Sequence, residues 1–132
     1  MRVRIARGIL EQIMSEAAAT PLEVCGLLLG EVEHIRAIRP AANVAADPAR
    51  HFELDPASLI AAHKAQRSGG PRIAGHYHSH PSGVPVPSST DAASAAPDGS
   101  LWLIVGGGSA RLWVATGTDE NARFVEALLD IM

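Results

Sequence analysis

The chain has 132 residues, of which 47% are hydrophobic and 19% charged, and its formal net charge is −3. This length and apolar content predict one domain over residues 1–132 with a sizeable core, and they exclude a disordered chain. The slightly acidic balance argues against nucleic acid as a partner.

The single cysteine, Cys25, excludes an intramolecular disulfide and a four-cysteine zinc site. No apolar run approaches the ~20 residues needed to cross a bilayer. The N-terminal residues lead into no signal-peptide core. We therefore expect a cytoplasmic protein with no membrane partner.

Helical and strand patterns alternate along the chain. In chain order they predict a helix at 7–19, strands at 24–29, 31–39 and 52–54, a helix at 56–67, a strand at 72–79, a helix at 88–96, and strands at 101–105 and 111–115. The helix at 56–67 has the clearest start, because Asp55 is a good N-cap and Pro56 suits the first helical position.

The C-terminal segment 121–132 fits either a helix or a final strand, because its apolar residues satisfy both periods. Helices interleaved with strands predict one α/β-type domain.

Three of the six histidines lie within five residues, in Gly75-His76-Tyr77-His78-Ser79-His80-Pro81. Side chains at positions i and i+2 of a strand leave the same face, with Cα atoms about 6.6 Å apart. Two of these imidazoles can therefore reach one metal ion. Periodicity alone does not say which two would bind, and a solvated strand face that carries histidines would show the same pattern.

A carboxylate follows at Asp91, eleven positions beyond His80 and after a proline-rich loop. Two imidazoles and one carboxylate leave the fourth zinc position for water, which is the pattern of a catalytic zinc site. Ser88 and Asp91 also resemble a weak capping box at a helix start. The two interpretations are compatible, because the helix start could place Asp91 beside the metal.

A zinc hydrolase needs a base that takes a proton from water. Glu23 is the candidate, since it lies directly before the predicted buried strand at 24–29. Most glutamates at such a position merely lie at the edge of a strand. The interpretation of Glu23 as a base therefore depends on the presence of the histidines.

Glu23, His78-Ser79-His80-Pro81 and, six residues later, Ser88-x-x-Asp91 together resemble the motif of the JAMM (MPN+) zinc metallopeptidases. The segment 21–30 is similar to the prokaryotic branch of that family. The resemblance implies a central mixed β-sheet flanked by helices, in the cytidine-deaminase architecture.

The resemblance also implies roles for single residues. His78, His80 and Asp91 would bind one Zn²⁺, Glu23 would act as general base, and Ser88 would donate a hydrogen bond to the oxyanion. The implied reaction is hydrolysis of a peptide or isopeptide bond, often after the C-terminal Gly-Gly of a ubiquitin-like or sulfur-carrier protein. A homodimer is compatible with the resemblance.

Three alternatives stay open. Cys25 with a histidine would make a thiol hydrolase, although a buried apolar role for this cysteine is the commoner case. A scaffold module of the same fold would bind proteins without catalysis. A zinc nucleoside deaminase is disfavoured, because its Pro-Cys-x-x-Cys ligands are missing. His76, which the motif does not require, could compete for metal or shape the substrate groove.

Overall fold

The computed structural model describes residues 1–118 and 121–132. Within these ranges, the three helices are α1 (Arg7–Ala18), α2 (Pro56–Arg67) and α3 (Ser89–Ser94). The seven strands in the same ranges are β1 (Arg2–Ile5), β2 (Cys25–Glu31), β3 (His34–Ala41), β4 (Ile73–His80), β5 (Leu101–Gly106), β6 (Ser109–Thr118) and β7 (Asn121–Ile131). None of the helices in the described part of the chain has the length and apolarity to span a bilayer.

The strands form one mixed sheet in the order β1-β3-β2-β4-β5-β6-β7, which closes through pairing of β7 with β1. The pairs β1–β3, β1–β7 and β4–β5 are parallel, and the other neighbours are antiparallel. The α/β class and the mixed sheet agree with the sequence prediction. The closure of the sheet was not predicted, because it depends on contacts between the two ends of the chain.

Helix α2 begins at the cap that the sequence predicts. The Asp55 side chain accepts a hydrogen bond from Ala57 N, so it caps α2 as predicted, with Pro56 at the first helical position. The α1 helix buries Ile13 against the core of the sheet. Phe52 and Leu54 form no full strand, and the predicted element there is reduced to one bridge between Asn43 and Leu54.

The two ends of the chain differ most from the prediction. The strand β1 was missed, because it has only four residues and half of them are exposed. The C-terminal segment is the strand β7, which pairs with β6 on one side and β1 on the other. Pairing with two neighbouring strands therefore favours a strand at 121–131 over the helix that the spacing of its apolar residues also permits.

Strand β4 separates the core from the histidine face. Tyr77 is fully buried in the core cluster, whereas on the other face His78 stacks on Phe52 and His76 packs edge-to-face against Trp102. The Tyr77 ring lies across Gly26 on β2, where a Cβ atom would come within 2.5 Å of the ring. Its hydroxyl donates to Glu16 on α1, 3.3 Å away. Gly26 thus gives Tyr77 the space to join β4 to α1.

The substitution Gly26→Ala should destabilise the fold by about 1–3 kcal/mol, because the added methyl group overlaps a buried ring that cannot easily move. The measurement is the urea midpoint at unchanged m-value. Gly8→Ala is the matched control, since its Cβ would meet nothing within 4 Å inside α1. Equal stability of the two variants would contradict this account of Gly26.

Candidate active site and metal centre

Three electron-pair donors converge at the C-terminal end of β4. The Nε2 atoms of His78 and His80 lie 3.1 Å apart. The Oδ2 atom of Asp91 lies 3.3 Å from the first and 3.1 Å from the second. Of the three neighbouring histidines, the structure therefore brings together His78 and His80 with Asp91, the set that the sequence motif predicts.

Each imidazole is held by a different contact. His80 Nδ1 lies 3.0 Å from Val84 O, in the loop that follows β4. A proton on Nδ1 satisfies that carbonyl and leaves the Nε2 lone pair facing the other donors. The fully buried His78 ring stacks on Phe52 with 4.2 Å between centroids. The loop that bears Val84 is fixed in turn, because Trp113 Nε1 donates to Pro85 O at 3.1 Å.

Asp91 is positioned by the start of α3. Ser88 Oγ accepts from Asp91 N at 3.0 Å, and Asp91 Oδ2 accepts from Ser88 N at 2.9 Å, which completes a reciprocal capping box. The same Oδ2 atom faces both imidazoles. The capping and ligand interpretations of these residues thus describe one arrangement.

The charges of the three groups suit a cation. Burial tends to raise the pKa of Asp91, but hydrogen bonds with His78 and His80 outweigh it and hold that pKa well below its usual range. Burial lowers the pKa of His78 against the opposing effect of Asp91. The hydrogen bond with Asp91 raises the pKa of His80. The ionised Asp91 and the neutral His78 are in the protonation states that metal binding requires, and His80 becomes a ligand by releasing its proton when the ion binds.

The spacing of the donors matches zinc. Tetrahedral Zn²⁺ with bonds of about 2.0–2.1 Å places neighbouring ligand atoms about 3.3 Å apart. The three donor separations of 3.1–3.3 Å meet that requirement. Two imidazole nitrogens and one carboxylate oxygen are also ligand types that zinc prefers. These residues therefore fit a single Zn²⁺ ion with three protein ligands.

Glu23 faces this donor set from the segment before β2. Its carboxylate is 6% exposed and forms, with His78 and His80, a group whose ligand atoms all lie within 4.8 Å of one another. Because Asp91 approaches the imidazoles more closely, Glu23 is the weaker candidate for a ligand. Burial raises the pKa of Glu23 to about 7, with a smaller upward contribution from Asp91 opposed by His80. Such a carboxylate can both take and release a proton near neutral pH.

Two residues that the sequence motif does not single out hold the segment of Glu23. Ser79 Oγ accepts from Val24 N at 2.9 Å, and Ser79 N donates to Val24 O at 3.1 Å. Asn43 Nδ2 donates to Glu23 O at 2.9 Å. Because Ser79 lies between the two histidines, strand alternation places its side chain on the face opposite theirs. This alternation was the sequence signal for a separate role of Ser79. Nothing in the sequence marks Asn43.

His76 belongs to an aromatic cluster and not to the donor set. Its ring lies 4.2 Å from Trp102 and 5.2 Å from Phe52 between centroids. Burial lowers its pKa to about 3, so the ring is neutral. It borders a cavity of ≈ 320 Å³ that also touches Asp91 and Thr90. This position agrees with a role in shaping the substrate groove and gives no support to competition for metal.

Cys25 is unsuited to nucleophilic catalysis. It is 1% exposed, and burial followed by the charges of Glu23 and Glu16 raises its pKa to about 11. Its Sγ atom faces the carbonyl oxygens of Ala41 and Ala42 at 3.8 Å. A nucleophilic cysteine needs an accessible thiolate. The structure therefore favours the buried apolar role.

This donor set on a mixed sheet defines a class of metal-binding α/β proteins, and comparison with known proteins identifies the family. Residues 6–120 match the prokaryotic homologs of the JAB domain, and the chain belongs to this family. The family resemblance inferred from the motif is thereby confirmed.

Two curated relatives agree with this assignment, and a solved structure shares the fold. The chain is similar to a desampylase of Haloferax volcanii, with 40% identity over 110 residues that cover 78% of this chain and 79% of the relative. It is 36% identical over 88 residues to a probable TtuB-protein conjugate cleaving protease of Thermus thermophilus, covering 66% of this chain and 59% of that protein. The fold is similar to that of a JAB1/MPN domain protein from Archaeoglobus fulgidus, with a TM-score of 0.60, 22% identity, and coverage of 97% of both chains.

The substitution Asp91→Asn separates capping from metal binding. The asparagine side chain keeps an oxygen that can accept the Ser88 N–H, but it loses the charge that faces the imidazoles. We expect unchanged metal-free thermal stability and a Zn²⁺ affinity at least about 10-fold weaker, measured by competition with a chelating dye. Asp55→Asn, at the remote cap of α2, should leave the affinity unchanged. Wild-type affinity in Asp91→Asn would remove Asp91 from the ligand set.

Proposed function

We propose that this chain is a zinc-dependent metallopeptidase. It hydrolyses a peptide or isopeptide bond at the C-terminal Gly-Gly tail, or an adduct, of a ubiquitin-like or sulfur-carrier protein. The observation that carries the proposal is the convergence of His78, His80 and Asp91 beside the buried carboxylate of Glu23. Membership in the prokaryotic JAB family supports the reaction class.

His78, His80 and Asp91 would hold the ion through two Nε2 atoms and Oδ2. A bound Zn²⁺ lowers the pKa of water to about 7 and polarises a carbonyl group. The protein contributes by orienting His80 through Val84 O, by packing His78 against Phe52 and by fixing Asp91 through the capping box. Each ligand thus has its own support within the fold.

Glu23 is the general base in this proposal. Its carboxylate accepts a proton from the attacking water and then delivers it to the leaving amine. The two transfers require a group that is neither strongly acidic nor strongly basic at the working pH, and a pKa of about 7 satisfies both. Burial of the side chain also limits competing contact with solvent.

Ser88 stabilises the oxyanion in this proposal. Its Oγ atom already accepts a hydrogen bond from Asp91 N. The hydroxyl hydrogen is consequently free to be donated to an oxygen that develops negative charge. The capping box keeps this donor next to the metal ligand Asp91.

The substrate class is supported by the relatives. One is named a desampylase, and another is named a probable TtuB-protein conjugate cleaving protease. Such names describe proteins that remove conjugated partner proteins, which agrees with the expectation of a ubiquitin-like or sulfur-carrier substrate. The lack of nucleic-acid binding stays a prediction from the net charge of −3.

Three further predictions accompany the proposal. We propose that residues 1–132 form one catalytic domain, which is supported by the pairing of β1 with β7 across the whole chain. The homodimer stays a prediction. So does the cytoplasmic location, for which the single cysteine is the supporting observation.

The thiol-hydrolase alternative makes an opposite prediction about inhibitors. We expect iodoacetamide to leave conjugate cleavage unchanged, because the Cys25 thiol is buried and its pKa is raised. A strong zinc chelator should abolish cleavage, and added Zn²⁺ should restore it. Activity that survives the chelator and is lost on alkylation would favour Cys25 and contradict the metallopeptidase proposal.

Replacement of the base should separate chemistry from metal binding. We expect Glu23→Gln to lower kcat at least about 100-fold, because an amide cannot accept the proton. Zinc content should stay at one ion per chain. The measurements are steady-state cleavage of a carrier-protein conjugate, followed by intact mass, and metal analysis of the same sample.

Glu31→Gln is the matched control for this substitution. Glu31 is an exposed carboxylate at the end of β2 that pairs with Arg36 at 2.7 Å. Its replacement should leave kcat unchanged. Full activity in Glu23→Gln would contradict the assignment of the base. Absence of any zinc-dependent cleavage in the wild type, with zinc bound, would instead favour the scaffold alternative.

A further inference from the structure

Asn43 makes an unusually complete set of hydrogen bonds for a half-buried loop residue. The two N–H groups of its amide donate to Glu23 O and His51 O, with Pro48 O as a longer shared acceptor, and its Oδ1 atom accepts from two backbone N–H groups. The carbonyl partners are Glu23 at 2.9 Å, Pro48 at 3.4 Å and His51 at 2.9 Å, and the N–H partners are Ala45 at 3.1 Å and Glu53 at 3.0 Å. One side chain thus connects two stretches of irregular backbone.

These bonds hold the backbone of Glu23 itself, beside the two bonds between Ser79 and Val24 that hold the next residue. Glu23 precedes β2 and has no helix or strand of its own to hold it. Its N–H donates to Pro48 O at 2.8 Å, and its carbonyl accepts from Asn43. Because Asn43 also bonds to Pro48 O, it acts on both sides of the Glu23 peptide. The position of the buried carboxylate therefore depends on Asn43.

Two of the metal donors are held by other contacts. His80 is fixed by Val84, and Asp91 by Ser88, and none of the five bonds of Asn43 reaches these residues. His78 stacks on Phe52, and Asn43 bonds to the neighbouring His51 O and Glu53 N. The zinc content of an Asn43 variant therefore has to be measured together with kcat, because it separates a displaced base from a displaced His78.

We propose that Asn43 is the positioning residue for the general base: its side-chain amide holds the backbone of Glu23, and so places the carboxylate against the His78–His80–Asp91 set. The inference rests on the proposed role of Glu23. A displacement of about 1 Å in a reacting group can cost on the order of 100-fold in rate.

The first test is Asn43→Ala assayed at saturating conjugate. We expect kcat to fall about 10–100-fold, with zinc still bound at one ion per chain. Saturation matters because His51 and Glu53, also held by Asn43, border the cavity beside Asp91, so KM can change separately. Wild-type kcat in a folded Asn43→Ala variant would overturn the inference.

A double-mutant cycle then tests whether Asn43 acts through Glu23. In a Glu23→Gln background, Asn43→Ala should lower kcat by less than about 2-fold, because the group that it positions is already inactive. A merely structural role would lower kcat by the same factor in both backgrounds. That additive result would overturn the inference even if Asn43→Ala alone is slow.

Two further variants keep the outcome interpretable. If Asn43→Ala does not fold, Asn43→Asp keeps oxygens for the N–H groups of Ala45 and Glu53 but cannot donate to Glu23 O, and it should show the same loss of kcat. Gln66→Ala is the control, since Gln66 is a side-chain amide that binds Ile73 N at the far end of β4. If Glu23→Gln is active, the proposed function fails. If it is inactive while Asn43→Asp is wild type, only the positioning role fails.

Discussion

The candidate site depends on one oxygen atom, Asp91 Oδ2. It accepts the Ser88 N–H at the start of α3 and also faces the Nε2 atoms of His78 and His80. A helix start favours negative charge, and so does a cation held by two imidazoles. Both requirements are met by the same ionised carboxylate. An amide at this position could keep the cap, but only the carboxylate meets both requirements.

Strand β4 connects this arrangement to the core of the fold. Alternate side chains of β4 lie on opposite faces of the sheet. Tyr77 reaches α1 and Ser79 reaches the segment of Glu23, whereas His78 and His80 form the donor set with Asp91 on the other face. The antiparallel pairing of β4 with β2 places Cys25 opposite His78 in the register, which brings the end of β2 to the site. The register of β4 and β2 thus sets where His78 and His80 lie relative to the segment of Glu23, while Asp91 comes from α3.

The parts of the site that sequence predicts well are those set by local chain geometry. The two-residue period of a strand places alternate histidines on one face, the motif resemblance selects His78 and His80 among the three, and Asp91 follows a short loop restricted by prolines. The predicted cap of α2 at Asp55 was equally local and is confirmed. The parts that sequence did not predict depend on partners far away in the chain. Strand β1 is stabilised by β7, about the whole chain length away, and Asn43 carries no local pattern that reveals its bonds to Glu23 and His51.

Two buried carboxylates in this site differ in environment, and the difference assigns their roles. Asp91 accepts a hydrogen bond from Ser88 N and contacts the Nε2 atoms of two imidazoles, and these contacts hold its pKa low despite burial. Glu23 is comparably buried, but its side chain lacks such bonds among the described residues, so burial raises its pKa to about 7. A permanently ionised carboxylate suits a metal ligand, and a carboxylate that titrates near neutrality suits proton transfer. Since the chemical groups are the same, the proposed roles rest on distance to the imidazoles and on hydrogen bonding, and backbone contacts such as those of Ser88 and Asn43 are part of what distinguishes the two carboxylates.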